Sequence, residues 1–220
     1  MHRHSLLIAA LLSCFGRVAS ADIMYDVTVN TSSLVGHAGS LDFNFNPGPL
    51  VTQSANLQIL NFASNGTLAG SPSLTGDVSG VLPGIVTFDN GTAFNDYFEG
   101  FTFGSVLSFE VILYGPAINS PNGTATSGST FAFSMFSDAA GTIPALTTDL
   151  VDGFAATIDV NLDGTTTVNN FSTQTTVEPA TSAVPEPSSA VFLGTIAFAL
   201  GTLHLWRCAG CGSSKRRCTQ

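Results

Sequence analysis

An apolar/polar alternation of period two, broken at short intervals by turn-forming pairs, narrows what this chain can fold into more than any other feature. Tyr25, Val27 and Val29 alternate with Asp26, Thr28 and Asn30, and Leu41, Phe43 and Phe45 alternate with Asp42, Asn44 and Asn46. Leu107, Phe109, Val111 and Leu113 make another apolar face opposite Ser108, Glu110 and Tyr114, with Ile112 breaking the pattern. The scheme returns at Phe131, Phe133 and Met135, and again at Ile158, Val160 and Leu162, all expected to point inward. Residues 55–62, 78–82, 85–88 and 166–171 are further candidate strands. Successive side chains of a strand leave on opposite faces, so each run offers one face to a core and one to water. Between the runs stand Asn65-Gly66, Pro83-Gly84, Asn90-Gly91, Asn122-Gly123 and Asp163-Gly164, pairs that supply a positive or fixed φ at little cost. No stretch of residues 22–176 shows a sustained 3.6-residue apolar stripe with helix caps. The pattern therefore predicts an all-β domain over residues 22–176, a single β-sandwich of jelly-roll type. Residues 177–187 read as a short extended linker.

Composition sharpens this. Residues 22–183 contain fourteen Asp and Glu, a single histidine (His37), and no lysine, arginine or cysteine. The formal charge of -9 for the whole chain thus understates this region, which carries about -14. Such a surface repels nucleic acid and anionic lipid and makes divalent cations the natural counter-charges. Without disulfides the domain must hold by its core alone, and a chain of about 160 residues buries roughly two-thirds of its unfolded surface. Fourteen phenylalanines in the same region supply large apolar side chains for that core.

The ends read as an address. Arg3 precedes the apolar run Leu6-Leu7-Ile8-Ala9-Ala10-Leu11-Leu12, and Ala19-Ser20-Ala21 fits a small-x-small cleavage site, so residues 1–21 are expected to be a signal peptide with Asp22 near the mature start. At the other end Val184-Pro185-Glu186-Pro187 is followed by a charge-free span, residues 188–206. As a helix that span reaches roughly 28 Å, close to the hydrocarbon thickness of a bilayer. The basic cluster Arg207, Lys215, Arg216 and Arg217 comes next, within residues 207–220, and the positive-inside rule places that end in the cytoplasm and residues 22–183 outside. Cys208, Cys211 and Cys218 share the same stub. Their C-x-x-C spacing lacks a fourth ligand for zinc and is expected to leave reduced thiols, open to acylation near the membrane.

Motif, apolar span and basic cluster, in that order behind a signal peptide, resemble the PEP-CTERM sorting tail that exosortases recognise in many Gram-negative and related bacteria that make exopolysaccharide. The resemblance implies an exported protein, cut near residues 185–187 by an exosortase-type processing enzyme and delivered to the cell envelope or extracellular matrix. Thr31-Ser32-Ser33-Leu34, the run from Leu41 to Gly48, Gly76-Asp77-Val78-Ser79-Gly80 and the run from Asp96 to Gly104 are similar to a group of PEP-CTERM proteins of roughly 200 residues, of unassigned function. That similarity implies a fold and an address but no activity.

Asp159-Val160-Asn161-Leu162-Asp163-Gly164 matches the first half of a calcium loop, with Asp159, Asn161 and Asp163 as ligands on one outward face. Position 12 of that loop is Asn170, which lacks the bidentate carboxylate, and a plain hairpin turn at Asp163-Gly164 fits better. Glu99 and Glu110 are the glutamates within strands that could form a glycosidase pair, although no motif places them together and Glu110 is expected to face solvent. His37 lies in a glycine-flanked loop without a nucleophile elbow. Tyr97, Tyr114 and the Asn/Asp-rich loops could hold a glycan, but the one tryptophan, Trp206, lies in the tail. Asn-x-Ser/Thr matches at Asn30, Asn65, Asn90, Asn122 and Asn170 read as turn chemistry. No cofactor is expected beyond calcium and no catalysis. The chain reads as a structural or adhesive envelope protein associated with exopolysaccharide; a glycan-binding module is the alternative, and a glycoside hydrolase comes third.

Overall fold

A computed structural model describes residues 22–180. The expected signal peptide with Ala19 and Ala21, the motif Val184-Pro185-Glu186-Pro187, the span 188–206 and the basic end with Arg207, Lys215, Arg216 and Arg217 lie outside the described residues. Among the described residues no helix is long and apolar enough to cross a membrane.

The chain runs through β1 (Ile23–Asn30), a 3-10 turn (Ser32–Leu34), β2 (Ala38–Pro47), β3 (Asn56–Ser64), β4 (Thr67–Leu68), β5 (Ser73–Thr75), β6 (Val78–Gly80) and β7 (Val86–Asp89). It continues through β8 (Asp96–Thr102), β9 (Val106–Tyr114), the helical turn α1 (Pro116–Asn119), β10 (Ser129–Phe136), β11 (Phe154–Val160), β12 (Thr166–Asn170) and β13 (Thr175–Pro179). These strands form two antiparallel sheets, consistent with a β-sandwich. One has six strands in the order β13-β1-β9-β3-β7-β6; the other has seven, β12-β11-β10-β2-β8-β4, with β5 also paired to β8. Most connections change sheet, so apart from β6–β7, β10–β11 and β11–β12 neighbours in a sheet are not consecutive in sequence.

The alternation becomes packing directly. Val27, Val29, Leu57, Ile59, Leu107, Phe109, Val111 and Leu113 from the six-stranded sheet meet Leu41, Phe43, Phe45, Phe131, Phe133 and Ile158 from the other in one buried cluster. At its centre Phe43, Phe109 and Phe133 touch pairwise at centroid separations of 5.0–5.2 Å. Two of these contacts are edge-to-face, an arrangement that adds about 0.5–1.5 kcal/mol per pair beyond burial. A bulge in β3 falls between Leu60 and Ala63, where Asn61 adopts φ 53°, a left-handed conformation that asparagine tolerates better than most residues.

Two expectations need correction. Leu162 is half exposed, not inward, because β11 ends at Val160 and the backbone closes a turn through Asn161 N–H to Thr165 O at 2.8 Å. The sheet also extends past residue 176: Val177, Glu178 and Pro179 pair with Val27, Asp26 and Tyr25 at the edge beside β1. Proline fits there because an edge strand leaves one row of backbone groups unpaired.

Candidate functional site

Register sorts the outward side chains of the seven-stranded sheet into rows running across the strands. Phe98, Asp42 and Ser134 form one row, on β8, β2 and β10. The next is Asp96, Asn44, Ala132, Thr157 and Asn169, crossing all five strands from β8 to β12. Asn46, Thr130, Asp159 and Thr167 make the third. The outer face of a sandwich usually stands in water, yet here Asn44 is 7% exposed, Thr157 5% and Ser134 1%. Part of the cover comes from the loop after β10. Ser40 Oγ donates to Asp138 O at 2.9 Å, and a Cβ at Gly141, where φ is +70°, would lie 2.7 Å from the Phe98 ring. Only glycine allows so close an approach in that conformation.

Beneath this cover the carboxyl groups of Asp42 and Asp96 are hydrogen-bonded to one another, an acid O–H facing a carboxylate. Asn44 Nδ2 donates to Asp42 Oδ1 at 2.7 Å. Burial, reinforced by the hydrogen bond and charge of Asp96, pushes the Asp42 carboxyl up to about 9, and burial raises Asp96 as well. Two carboxylates this close do not both ionise readily, and the pair holds a proton at neutral pH. No lysine or arginine exists in residues 22–180 to balance it. The arrangement can store a proton or accept a cation.

A further carboxylate, Asp159, lies on the same face. Asp159 accepts from Thr130 Oγ1 at 2.7 Å and from Asn169 Nδ2 at 2.9 Å, and that amide also reaches Thr157 Oγ1 at 3.1 Å. Asn161 and Asp163, grouped with Asp159 by their spacing, are engaged elsewhere. Asn161 Nδ2 donates to Thr165 and Thr167, both at 3.0 Å, and Asp163 Oδ1 accepts from the Thr165 hydroxyl at 2.6 Å and its N–H at 3.0 Å. Asp163 thus serves the hairpin turn while Asp159 serves the sheet.

Glu99 faces the opposite way. It shares its side of β8 with Tyr97 and Phe101 and is fully buried between the sheets. The Tyr97 hydroxyl donates to it, as does Gly70 N–H at 2.8 Å, and Leu82 N–H donates to the same tyrosine oxygen at 3.1 Å. Burial, followed by Glu99, pushes the Tyr97 hydroxyl above its ordinary range, which keeps it a donor. This trio ties the excursion that carries β4, β5 and β6 onto the core. Glu110 sits half-buried on the outer face of the six-stranded sheet, so the two glutamates belong to different sheets and point in opposite senses. Tyr97, considered for glycan stacking, is unavailable inside the core; Tyr114 is half-buried on β9. His37 lies exposed in its loop, where Phe103 N–H donates to its carbonyl at 3.0 Å.

Sequence reasoning missed Asp42 and Asp96. Alternation places Asp42 and Asn44 outward, but only the β2–β8 register brings Asp96 beside them. No family model, curated protein or solved structure matches the chain.

Proposed function

We propose that this chain is an exported, acidic β-sandwich, sorted to the cell envelope or extracellular matrix by a cleavable membrane tail, with a structural or adhesive role alongside exopolysaccharide. The observation that carries the reading is the order of the last 37 residues: Val184-Pro185-Glu186-Pro187, the charge-free span 188–206, then Arg207, Lys215, Arg216 and Arg217. That order fits a transient membrane helix with a cationic stop, handed to an exosortase-type enzyme, and Arg3 with the run ending at Ala19-Ser20-Ala21 fits export. The placement of Glu99 as an internal tie, on the other sheet from Glu110, favours a non-catalytic role. The strand orders β1-β9-β3-β7 and β2-β8-β4 support a jelly-roll-like reading, with β10 to β12 and β13 added along one edge.

The intact mass of the protein recovered from its native envelope tests this. A mature form running from Asp22 to residues 185–187 is expected. A species retaining residues 1–21 would overturn export, and one ending at Gln220 would make the tail a permanent anchor.

A second reading, a glycan-binding module, draws on the third outward row, Asn46, Thr130, Asp159 and Thr167, with Asn169 beside it, donors and acceptors that stay half-buried or exposed on the outer face of the seven-stranded sheet. Calorimetry with exopolysaccharide fragments tests it: a heat of binding lost in Asn169→Ala is expected, and no heat at millimolar sugar would sink it.

A further inference from the structure

We propose that Asp42, Asn44, Asp96 and Ser134 form a calcium-binding site on the outer face of the seven-stranded sheet. Three observations carry this independently of the export reading.

The first is the donor set. Two carboxylates, an amide carbonyl and a hydroxyl, with no nitrogen or sulfur ligand among them, suit a hard cation that takes six to eight oxygens, water completing the shell. Asp42 and Asp96 are only half-buried, so an ion and its waters can reach them.

The second is a pair of orphaned atoms. Three buried side-chain polar atoms have no hydrogen-bond partner among the described residues, and two of them, Asn44 Oδ1 and Ser134 Oγ, flank Asp42. Ser134 stands directly opposite Asp42 in the β10–β2 register, on the same outward face. Asn44 donates its amide nitrogen to Asp42 and stands directly opposite Asp96 in the register, its carbonyl oxygen left without a partner. Unpaired buried oxygens are costly, and native folds seldom keep two together without a use.

The third is charge. A half-buried carboxylate pair is ordinarily balanced by arginine or lysine, and residues 22–180 have neither. The acids Asp77 and Asp89 offer a contrast. Both approach Gly91, where a Cβ would meet Asp77 Oδ2 at 2.8 Å and Asp89 Oδ1 at 3.1 Å, but Asp77 is exposed and no orphaned oxygen accompanies them.

The test is calcium titration of the full chain in detergent, stripped with EDTA, followed by calorimetry and by thermal unfolding. One ion is expected to bind in the range of about 10⁻⁴–10⁻³ M typical of extracellular calcium modules, and to raise Tm. Asp96→Asn should weaken binding at least tenfold, and Ser134→Ala, which removes one small hydroxyl at little risk to folding, several-fold. Asp77→Asn and Asp163→Asn should bind as wild type. Absence of binding up to 10 mM calcium (about ten times the weakest expected Kd) overturns the site. So does wild-type affinity in both Asp96→Asn and Ser134→Ala, or a loss confined to Asp77→Asn or Asp163→Asn. Should Asp96→Asn fail to fold, Ser134→Ala and the wild-type titration decide.

Discussion

The outer faces of the two sheets answer the same electrostatic problem differently. On the six-stranded sheet Asp26 stands directly opposite Glu110, a like-charge pair across β1 and β9. On the seven-stranded sheet Asp42 and Asp96 are diagonal neighbours across β2 and β8. Neither pair has a basic residue to balance it, and cross-strand like charges are destabilising. Asp26 is exposed, so water and salt screen the first pair. The second lies on the face onto which the loop after β10 folds, and there the two acids share a proton. Both faces carry a like-charge pair; the cover over one of them changes the chemistry. Glu99, wholly inside, is the third case, where protein donors replace water altogether.

The largest effect should come from the innermost acid. Glu99→Ala leaves a cavity and strips partners from the Tyr97 hydroxyl and Gly70 N–H, so a loss of about 3–5 kcal/mol is expected. Glu110→Ala, on the open face, should stay within about 0.5 kcal/mol of wild type. Urea unfolding midpoints of the two variants measure the difference. A Glu99→Ala protein as stable as Glu110→Ala would mean that the tie to Gly70 and Tyr97 holds nothing.

The shared proton predicts a pH slope whose sign is unusual for a carboxylate. The Asp42 carboxyl is raised in the folded state, from an ordinary 3.8 to about 9. Its contribution is therefore complete below the ordinary value and is lost as pH rises toward 9. One proton sets a ceiling of about 1.4 kcal/mol per pH unit, and solvent at the open side of the pair lowers it. In EDTA, Tm is expected to fall by roughly 5 °C between pH 6 and pH 9. Asp42→Asn, whose amide donates to Asp96 as the acid does but cannot ionise, should flatten that slope and unfold at the higher temperature at pH 9. Asp26→Asn should leave the slope unchanged. A wild-type Tm that rises over this range would contradict the shared proton.

The strands carrying these groups were largely legible in the sequence, because period-two alternation is a local property. Leu41, Phe43 and Phe45 announce an inner face, and Asp42 and Asn44 follow as outer residues without any knowledge of neighbours. The pairing of β2 with β8 is not local. It joins residues about fifty positions apart across four sheet changes, so nothing along the chain says that Asp96 meets Asn44. The setting of Glu99 is hidden for another reason. Its parity with Tyr97 and Phe101 pointed inward, but an inward carboxylate needs two loop contacts, at Gly70 and through Tyr97 at Leu82, that only the folded chain supplies. Leu162 misled because an apolar residue in phase with Ile158 and Val160 looks like one more step of the strand, when the Asp163-Gly164 turn has already begun.

That turn supplies the smallest expected effect and the opposite sign. Hydrogen bonds from the Thr165 hydroxyl, then from its N–H, hold the Asp163 carboxyl below the usual range. Asp163 is fully exposed and serves only its own hairpin, so its replacement should shift Tm less than either change above. A lowered carboxyl contributes above its ordinary range and loses that contribution as pH falls through the folded value. Asp163→Asn should therefore melt slightly below wild type at pH 6 and coincide with it near pH 2. Asp42→Asn differs most at alkaline pH, so the two variants bend the stability curve at opposite ends. If Asp163→Asn instead diverged from wild type only above pH 8, the contrast between covered and open acids would fail, because an exposed carboxylate would then be behaving like a buried one.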